Sequence, residues 1–154
     1  MTNPLPDGPD RLAARLDCYP IAAAWPAAAR QRYLEWSAIL LDAADLEITL
    51  GKGGISFYLP AGGRRIFAVH FNAMPRARVS GRGFADFRRD TLEPYLNPEG
   101  LLENLRGLLP PDSELRPGRR WCCLHFPWDR TADIARAITA ALVLPLAGAV
   151  GSTA

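Results

Sequence analysis

The chain has 154 residues, of which 49% are hydrophobic and 22% are charged, a composition that fits one globular domain and excludes a wholly disordered protein. The formal net charge is +2, but the charges are distributed unevenly. Residues 1–60 hold five basic and seven acidic side chains, whereas residues 61–130 hold twelve and eight. The positive field therefore lies in the middle of the chain.

The chain divides into three predicted segments. Residues 1–8 are polar and rich in proline, without the basic and apolar regions of a signal peptide, and they predict a flexible N-terminal lead. Residues 9–146 carry the predicted helices and strands of a single domain, and residues 147–154 predict a flexible tail. Residues 134–150 are very apolar, but Pro145 interrupts them and they are too short to span a bilayer comfortably, so they predict a buried helix that ends near Pro145.

The cysteines bear on the cellular compartment. Cys122 and Cys123 are neighbours, Cys18 lies far from them, and no Cys-x-x-Cys or mixed Cys and His spacing typical of a metal site is present. Reduced thiols fit this pattern, and they indicate a reducing compartment. The sequence therefore predicts a cytoplasmic protein that binds no metal and no cofactor.

The first half of the chain predicts two helices followed by three strands. Pro9 can begin a short helix over residues 9–16, and Pro26 can begin a longer helix that runs to about Ala44. Short apolar runs then predict strands, and the four-residue loops between them predict an antiparallel meander. These strands cover residues 46–50, 55–59 and 64–71.

The second half predicts a polar edge strand and then mostly helices. Residues 76–80 are the predicted edge strand, and Phe84, Phe87 and Tyr95 fit one side of a following helix. Asn97 is expected to cap a second helix that Pro110 stops. The remaining elements are a loop over residues 112–118, a strand over residues 119–126 and a last helix capped by Asp129 or Thr131.

One eight-residue pattern occurs twice and contains the only two histidines. Residues 64–71 return 55 positions later as residues 119–126. Each copy is a short apolar run bounded by Gly or Pro, which favours a buried strand. Side chains alternate along a strand, so we expect both copies in one sheet with one set of side chains on the same buried face. That set is Phe67, Val69, Phe71, Cys122, Leu124 and Phe126.

The order of these elements predicts the fold class. Grouped strands followed by grouped helices are typical of an α+β domain. We therefore expect a mainly antiparallel sheet of four to five strands with helices packed against it.

The two histidines suggest one enzymatic alternative. A His at the end of each of two similar strands resembles the layout of the two-histidine phosphoesterases, in which the pair acts as acid and base. In that family a hydroxyl residue follows two positions after each His, whereas this chain has Asn72 and Pro127. We expect structural roles for His70 and His125, with an uncharacterised hydrolase as the alternative.

A second resemblance concerns residues 50–143 or thereabouts. Arg65-Ile66-Phe67-Ala68 precedes a strand, helices, the run Leu115-Arg-Pro-Gly-Arg-Arg-Trp121, an apolar strand and a helix with Ala135-x-x-Ile138. This order resembles the small MmcQ/YjbR-type domains, although the chain has a longer helical insert and lacks their His-x-x-Lys lead into the Trp strand. Such domains are often labelled DNA-binding, but the resemblance implies the α+β fold more than it implies that function.

The function predicted from the sequence is binding without catalysis. Residues 64–89 contain seven arginines and one acid, and such a patch can attract nucleic acid or an acidic protein surface. Because 17 of the 18 basic residues are Arg, the patch also fits a general preference for Arg over Lys. The predicted order of one helix, three strands, a helix, a strand and a helix is also similar to that of type III secretion chaperones. The alternative function is therefore that of a protein-interaction or secretion-chaperone-like dimer. The candidate binding residues are Arg76, Arg78, Arg82, Arg88, Arg89, Trp128 and Arg130.

Overall fold

The computed structural model describes residues 25–51, 54–60, 64–71 and 81–152. The predicted helix over residues 9–16 and the predicted edge strand over residues 76–80 lie outside these ranges.

The sheet has six strands, one more than the upper end of the predicted four to five, and the α+β class is confirmed. Its spatial order is β1-β2-β3-β4-β6-β5, and each neighbouring pair is antiparallel. The strands are β1 (Glu47–Leu50), β2 (Ile55–Leu59), β3 (Arg64–His70), β4 (Arg82–Arg88), β5 (Glu114–Pro117) and β6 (Trp121–Pro127).

The helices pack together against one face of this sheet. The first long helix and the cap of the helix after Asn97 agree with the sequence, since the Asn97 side chain accepts a hydrogen bond from the Glu99 amide at 3.2 Å. The helices are α1 (Ala27–Ala43), α2 (Arg89–Leu92), α3 (Pro98–Leu108), α4 (Thr131–Ile138) and α5 (Leu144–Ser152), with a 3₁₀ turn at Trp128–Arg130 and a π-helical segment at Thr139–Val143.

The two copies of the repeated pattern lie in one sheet, as predicted, with β4 between them. All six side chains expected on the common face are fully buried. Trp36 of α1 stacks on Phe126 at 5.6 Å and meets the edges of Phe67 and Phe71 at 5.9 Å. The Tyr33 hydroxyl accepts a hydrogen bond from the Phe71 amide at 2.9 Å, so α1 is fixed to β3 by both packing and a polar contact.

The predicted helix carrying Phe84, Phe87 and Tyr95 is wrong in its first part, because residues 82–88 form the strand β4, and helix begins only at Arg89. The spacing of Phe84 and Phe87 imitates a helical face, but on the strand these rings point to opposite sides. Hydrogen bonding to β3 on one side and β6 on the other decides the outcome. A Cβ at Gly83 would lie 2.7 Å from the Phe126 ring and 2.8 Å from the Phe71 ring, so only glycine leaves room for this packing.

Strand β5 falls where the sequence predicts a loop, and that prediction is wrong. It is a four-residue edge strand with mostly exposed side chains, so it has no apolar alternation for a sequence to reveal. An ion pair of 2.9 Å joins Glu114 and Arg116, and Pro117 ends the strand. Charge and proline are common protections of an edge strand against pairing with another chain.

The last helical segment differs from the prediction at both ends. Neither predicted cap acts as one: Arg130 occupies the cap position of α4, and the Thr131 hydroxyl instead donates to the Trp128 carbonyl at 2.6 Å. The helix does not end near Pro145 but continues to Ser152. The π-helical turn before Pro145 widens the backbone where a proline ring would otherwise clash with a carbonyl.

The stretch Trp128–Ala149 is long and apolar enough to cross a membrane by length and composition. Half of its 18-residue window is buried inside the fold, and Ile134, Ile138, Leu142 and Leu146 are fully buried.

Candidate functional site

The described helices leave the second face of the sheet largely uncovered, and this open face is the candidate site. Strand alternation sends its side chains away from Trp36 and the helices. Most of these side chains are polar and partly or fully exposed, whereas the opposite face is apolar and buried.

One row across the open face places two arginine side chains between two aromatic side chains. It consists of Tyr58, Arg65, Arg88 and Trp121, and it is called the arginine–aromatic row below. Tyr58 pairs with Arg65 between β2 and β3, and Arg88 pairs with Trp121 between β4 and β6. The guanidinium carbons of Arg65 and Arg88 lie 5.8 Å and 5.4 Å from the indole centroid, within the range of a cation–π contact. Trp121 is 43% exposed, so part of the indole remains available.

A chain of hydrogen bonds lies beside this row on the same face. It joins His70, Asp86, Cys123 and His125, and it is called the polar chain below. His70 Nε2 donates to Asp86 Oδ2 at 3.0 Å, and the Cys123 thiol donates to the same carboxylate. Cys123 Sγ lies 3.2 Å from His125 Nε2. The tautomer of His125 determines which of these two atoms donates.

The polar chain keeps Asp86 ionised and Cys123 protonated. Burial raises the pKa of Asp86, but the hydrogen bond and charge of His70 and the hydrogen bond of Cys123 outweigh it, so the pKa lies below its ordinary value. Burial, followed by the charge and hydrogen bond of Asp86, raises the pKa of the Cys123 thiol to about 12. A nucleophilic cysteine needs a lowered pKa, so this environment is the opposite of an activated thiol.

The His125 imidazole is neutral near neutral pH. Its partial burial lowers its pKa first, and the charge of Arg116 on the neighbouring strand lowers it further. His125 also meets the Phe84 ring edge-on, with ring centroids 4.5 Å apart. The two imidazoles of the chain are linked through Asp86 and Cys123.

The arginines predicted from the sequence do not form a single surface. Arg82 and Arg88 lie on the open face, and Arg76 and Arg78 lie outside the described residues. Arg89 bonds Glu99 and the Gly118 carbonyl, so it ties α2 to α3 and to the turn before β6.

The other two predicted binding residues also make structural contacts. The Trp128 indole donates to the Arg82 carbonyl at 2.9 Å, and Arg130 pairs with Asp112 at 3.0 Å and with Asp133 at 3.4 Å. These bonds occupy the polar groups that a ligand would have to reach.

Trp121 and Arg65 are not among the predicted binding residues, although the repeated pattern contains both. Each copy begins with two arginines followed by two apolar residues, and a strand conformation places Trp121 on the face opposite Cys122. That face could have been recognised as the polar one from His125 and Cys123.

No group of three or more His, Cys, Asp or Glu side chains in the described ranges could hold a metal ion. Comparison with known proteins adds no assignment: no protein-family model, curated protein or solved structure matches the chain. The candidate site is therefore argued from its own geometry.

Proposed function

We propose that the open face binds single-stranded nucleic acid, with a base stacked on Trp121 and a phosphate contacting Arg65. The observation that carries this proposal is the partly exposed indole of Trp121, with two guanidinium groups within about 6 Å of its centroid, on an otherwise polar sheet surface. Base stacking on an aromatic side chain contributes about 1–3 kcal/mol per base and tolerates any base.

The Trp121 indole contacts arginine side chains rather than the core. The other three tryptophans pack into or against the core, and they are Trp25, Trp36 and Trp128. Trp121 lies outside the core. An exposed indole on a polar surface offers a stacking face to any ligand with a π-system. A nucleic-acid base covers one aromatic face and leaves the polar edges of the sheet hydrated.

The charge around the indole supports a polyanion. Arg88 forms a bidentate pair with Asp90 at 3.0 Å and 2.7 Å, so its charge is already balanced by a neighbouring carboxylate. Among the ion pairs between described residues, none includes Arg65, Arg119 or Arg120. These three cations lie at or beside the start of β3 and β6, near Trp121, where a phosphate can approach them.

The test is a titration of a fluorescent oligothymidylate by anisotropy at several salt concentrations. Trp121→Ala is expected to weaken binding by about tenfold, the loss of one stacked base. Arg65→Glu should weaken it and reduce the slope of log affinity against log salt by about 0.7 for each phosphate that the arginine neutralises. Arg136→Glu on α4 is the matched control, because it makes the same charge change on an exposed helix position.

Two results would overturn the proposal. The first is no binding of the oligonucleotide to the native chain at low salt. The second is an equal loss for Arg65→Glu and Arg136→Glu, which would show a response to net charge alone. Binding of polyglutamate in the absence of any oligonucleotide binding would instead support the acidic protein partner.

A further inference from the structure

A carboxylate lies in the middle of this cationic surface. Asp86, Arg65, Arg88 and Trp121 line a shallow notch whose enclosed volume of about 20 Å³ is the room of one water molecule. A base cannot enter such a notch. It would lie on the indole with one edge above the notch and within reach of Asp86.

Asp86 is prepared to accept hydrogen bonds. Its pKa lies below the ordinary value, so it is ionised at neutral pH and has no proton to donate. His70 and Cys123 hold the side chain in place, and 30% of it remains exposed. A carboxylate offers about four lone-pair positions, so two partners leave capacity for two further donors.

The charge of Asp86 is unfavourable for general phosphate binding. An anion among the arginines repels phosphates and reduces the local positive field. It becomes favourable only if the ligand brings hydrogen-bond donors to that point. An ionised carboxylate held in place beside a stacking platform is therefore suited to the edge of a base.

The bases differ in the donors that they present on the Watson–Crick edge. Guanine has two adjacent donors, N1–H and the N2 amino group, whereas adenine and cytosine place an amino donor next to an acceptor. Thymine and uracil have one donor between two acceptors. Recognition of a splayed base through this edge is the usual basis of sequence preference in single strands.

We infer that Asp86 selects guanine for the position stacked on Trp121. This inference rests on the proposed single-strand binding and specifies its sequence preference. The carboxylate accepts from N1–H and N2–H of the base, while Arg65 contacts a flanking phosphate. Loss of a hydrogen bond to a charged group leads us to expect at least about a tenfold preference for guanine over adenine.

The experiment compares oligothymidylates in which only the central base differs. The central base is guanine, hypoxanthine, adenine or thymine, and anisotropy gives each affinity for the native chain. Hypoxanthine keeps N1–H and lacks the amino group, so its affinity should fall between those of guanine and adenine. Asp86→Asn should bring the guanine-to-adenine ratio to about one, whereas Glu47→Gln, the same acid-to-amide change at the far edge of the open face, should not alter it.

The outcomes separate the inference from the function on which it rests. Equal affinities for all four oligonucleotides would overturn guanine selection and leave single-strand binding intact. No measurable binding of any of them would overturn both. An unchanged guanine preference in Asp86→Asn would also refute the role of Asp86. If that variant does not fold, equal affinities for guanine and hypoxanthine on the native chain would still refute recognition of the amino group by a carboxylate.

Discussion

The raised pKa of Cys123 makes the stability of the fold sensitive to alkaline pH. In the fold the thiol keeps its proton to a pKa of about 12, whereas the ordinary thiol pKa is 9.0. Between these values the unfolded chain has lost the proton and the folded chain still holds it. The stabilisation is therefore fully present below pH 9 and is lost as the pH rises, because the unfolded chain binds fewer protons.

The size of this effect follows from the two pKa values. Each pH unit above 9.0 destabilises the fold by about 1.4 kcal/mol until the folded pKa is reached. At about pH 10.5 linkage predicts a loss of about 2 kcal/mol from this thiol. Cys123 is partly exposed, so screening by water makes this an upper value.

Urea unfolding of the native chain and of Cys123→Ser, each at about pH 8 and pH 10.5, isolates the thiol. Serine keeps a donor for Asp86 and does not titrate in this range. The native chain should lose more stability than the variant, by about 2 kcal/mol, while tyrosines and the buried Cys122 affect both chains equally. Equal losses in the two chains would refute the argument, because they would show that Cys123 titrates normally in the fold.

Two further predictions concern β4 and β6. Gly83→Ala should destabilise the fold by about 1–3 kcal/mol in urea unfolding, because the new Cβ would lie under 3 Å from the Phe126 and Phe71 rings; an unchanged midpoint would contradict this packing. Burial and Arg116 lower the pKa of His125 below 6.5, so the unfolded chain takes up its proton first and stability should decline as the pH falls below that value. His125→Gln should remove this acid dependence while keeping oligonucleotide binding, and a parallel decline in both chains would argue against it.

The strands that could be predicted from the sequence are those with a local apolar pattern. Residues 64–71 and 119–126 each contain a short apolar run bounded by Gly or Pro. Each could therefore be assigned as a strand without knowledge of the strands with which it pairs. Residues 82–88 contain Gly83, Ala85 and charged positions, and their strand conformation depends on hydrogen bonds from two strands distant in the chain. Long-range pairing of this kind overrides local propensity and leaves little trace in a single sequence.

In the candidate site, too, some residues could be predicted from a local pattern and others depend on strand pairing. The shared face of His70, Cys123 and His125 follows from strand alternation alone. Asp86 could not be added to them, because the sequence placed it in a helix and only the β3–β4 register puts it opposite Ala68. An arginine count likewise cannot distinguish Arg65, which contacts an indole, from arginines whose ion pairs hold the fold together.

The position of β6 gives this fold a particular order of assembly. It is the last described strand in the chain, yet it lies between β4 and β5 and hydrogen-bonds to both. During synthesis β4 therefore leaves the ribosome with one edge unpaired, and β5 has no neighbour until residues 121–127 follow. A chain that stops before Trp121 would present an open apolar edge to other molecules, which makes interrupted translation products of this protein candidates for aggregation.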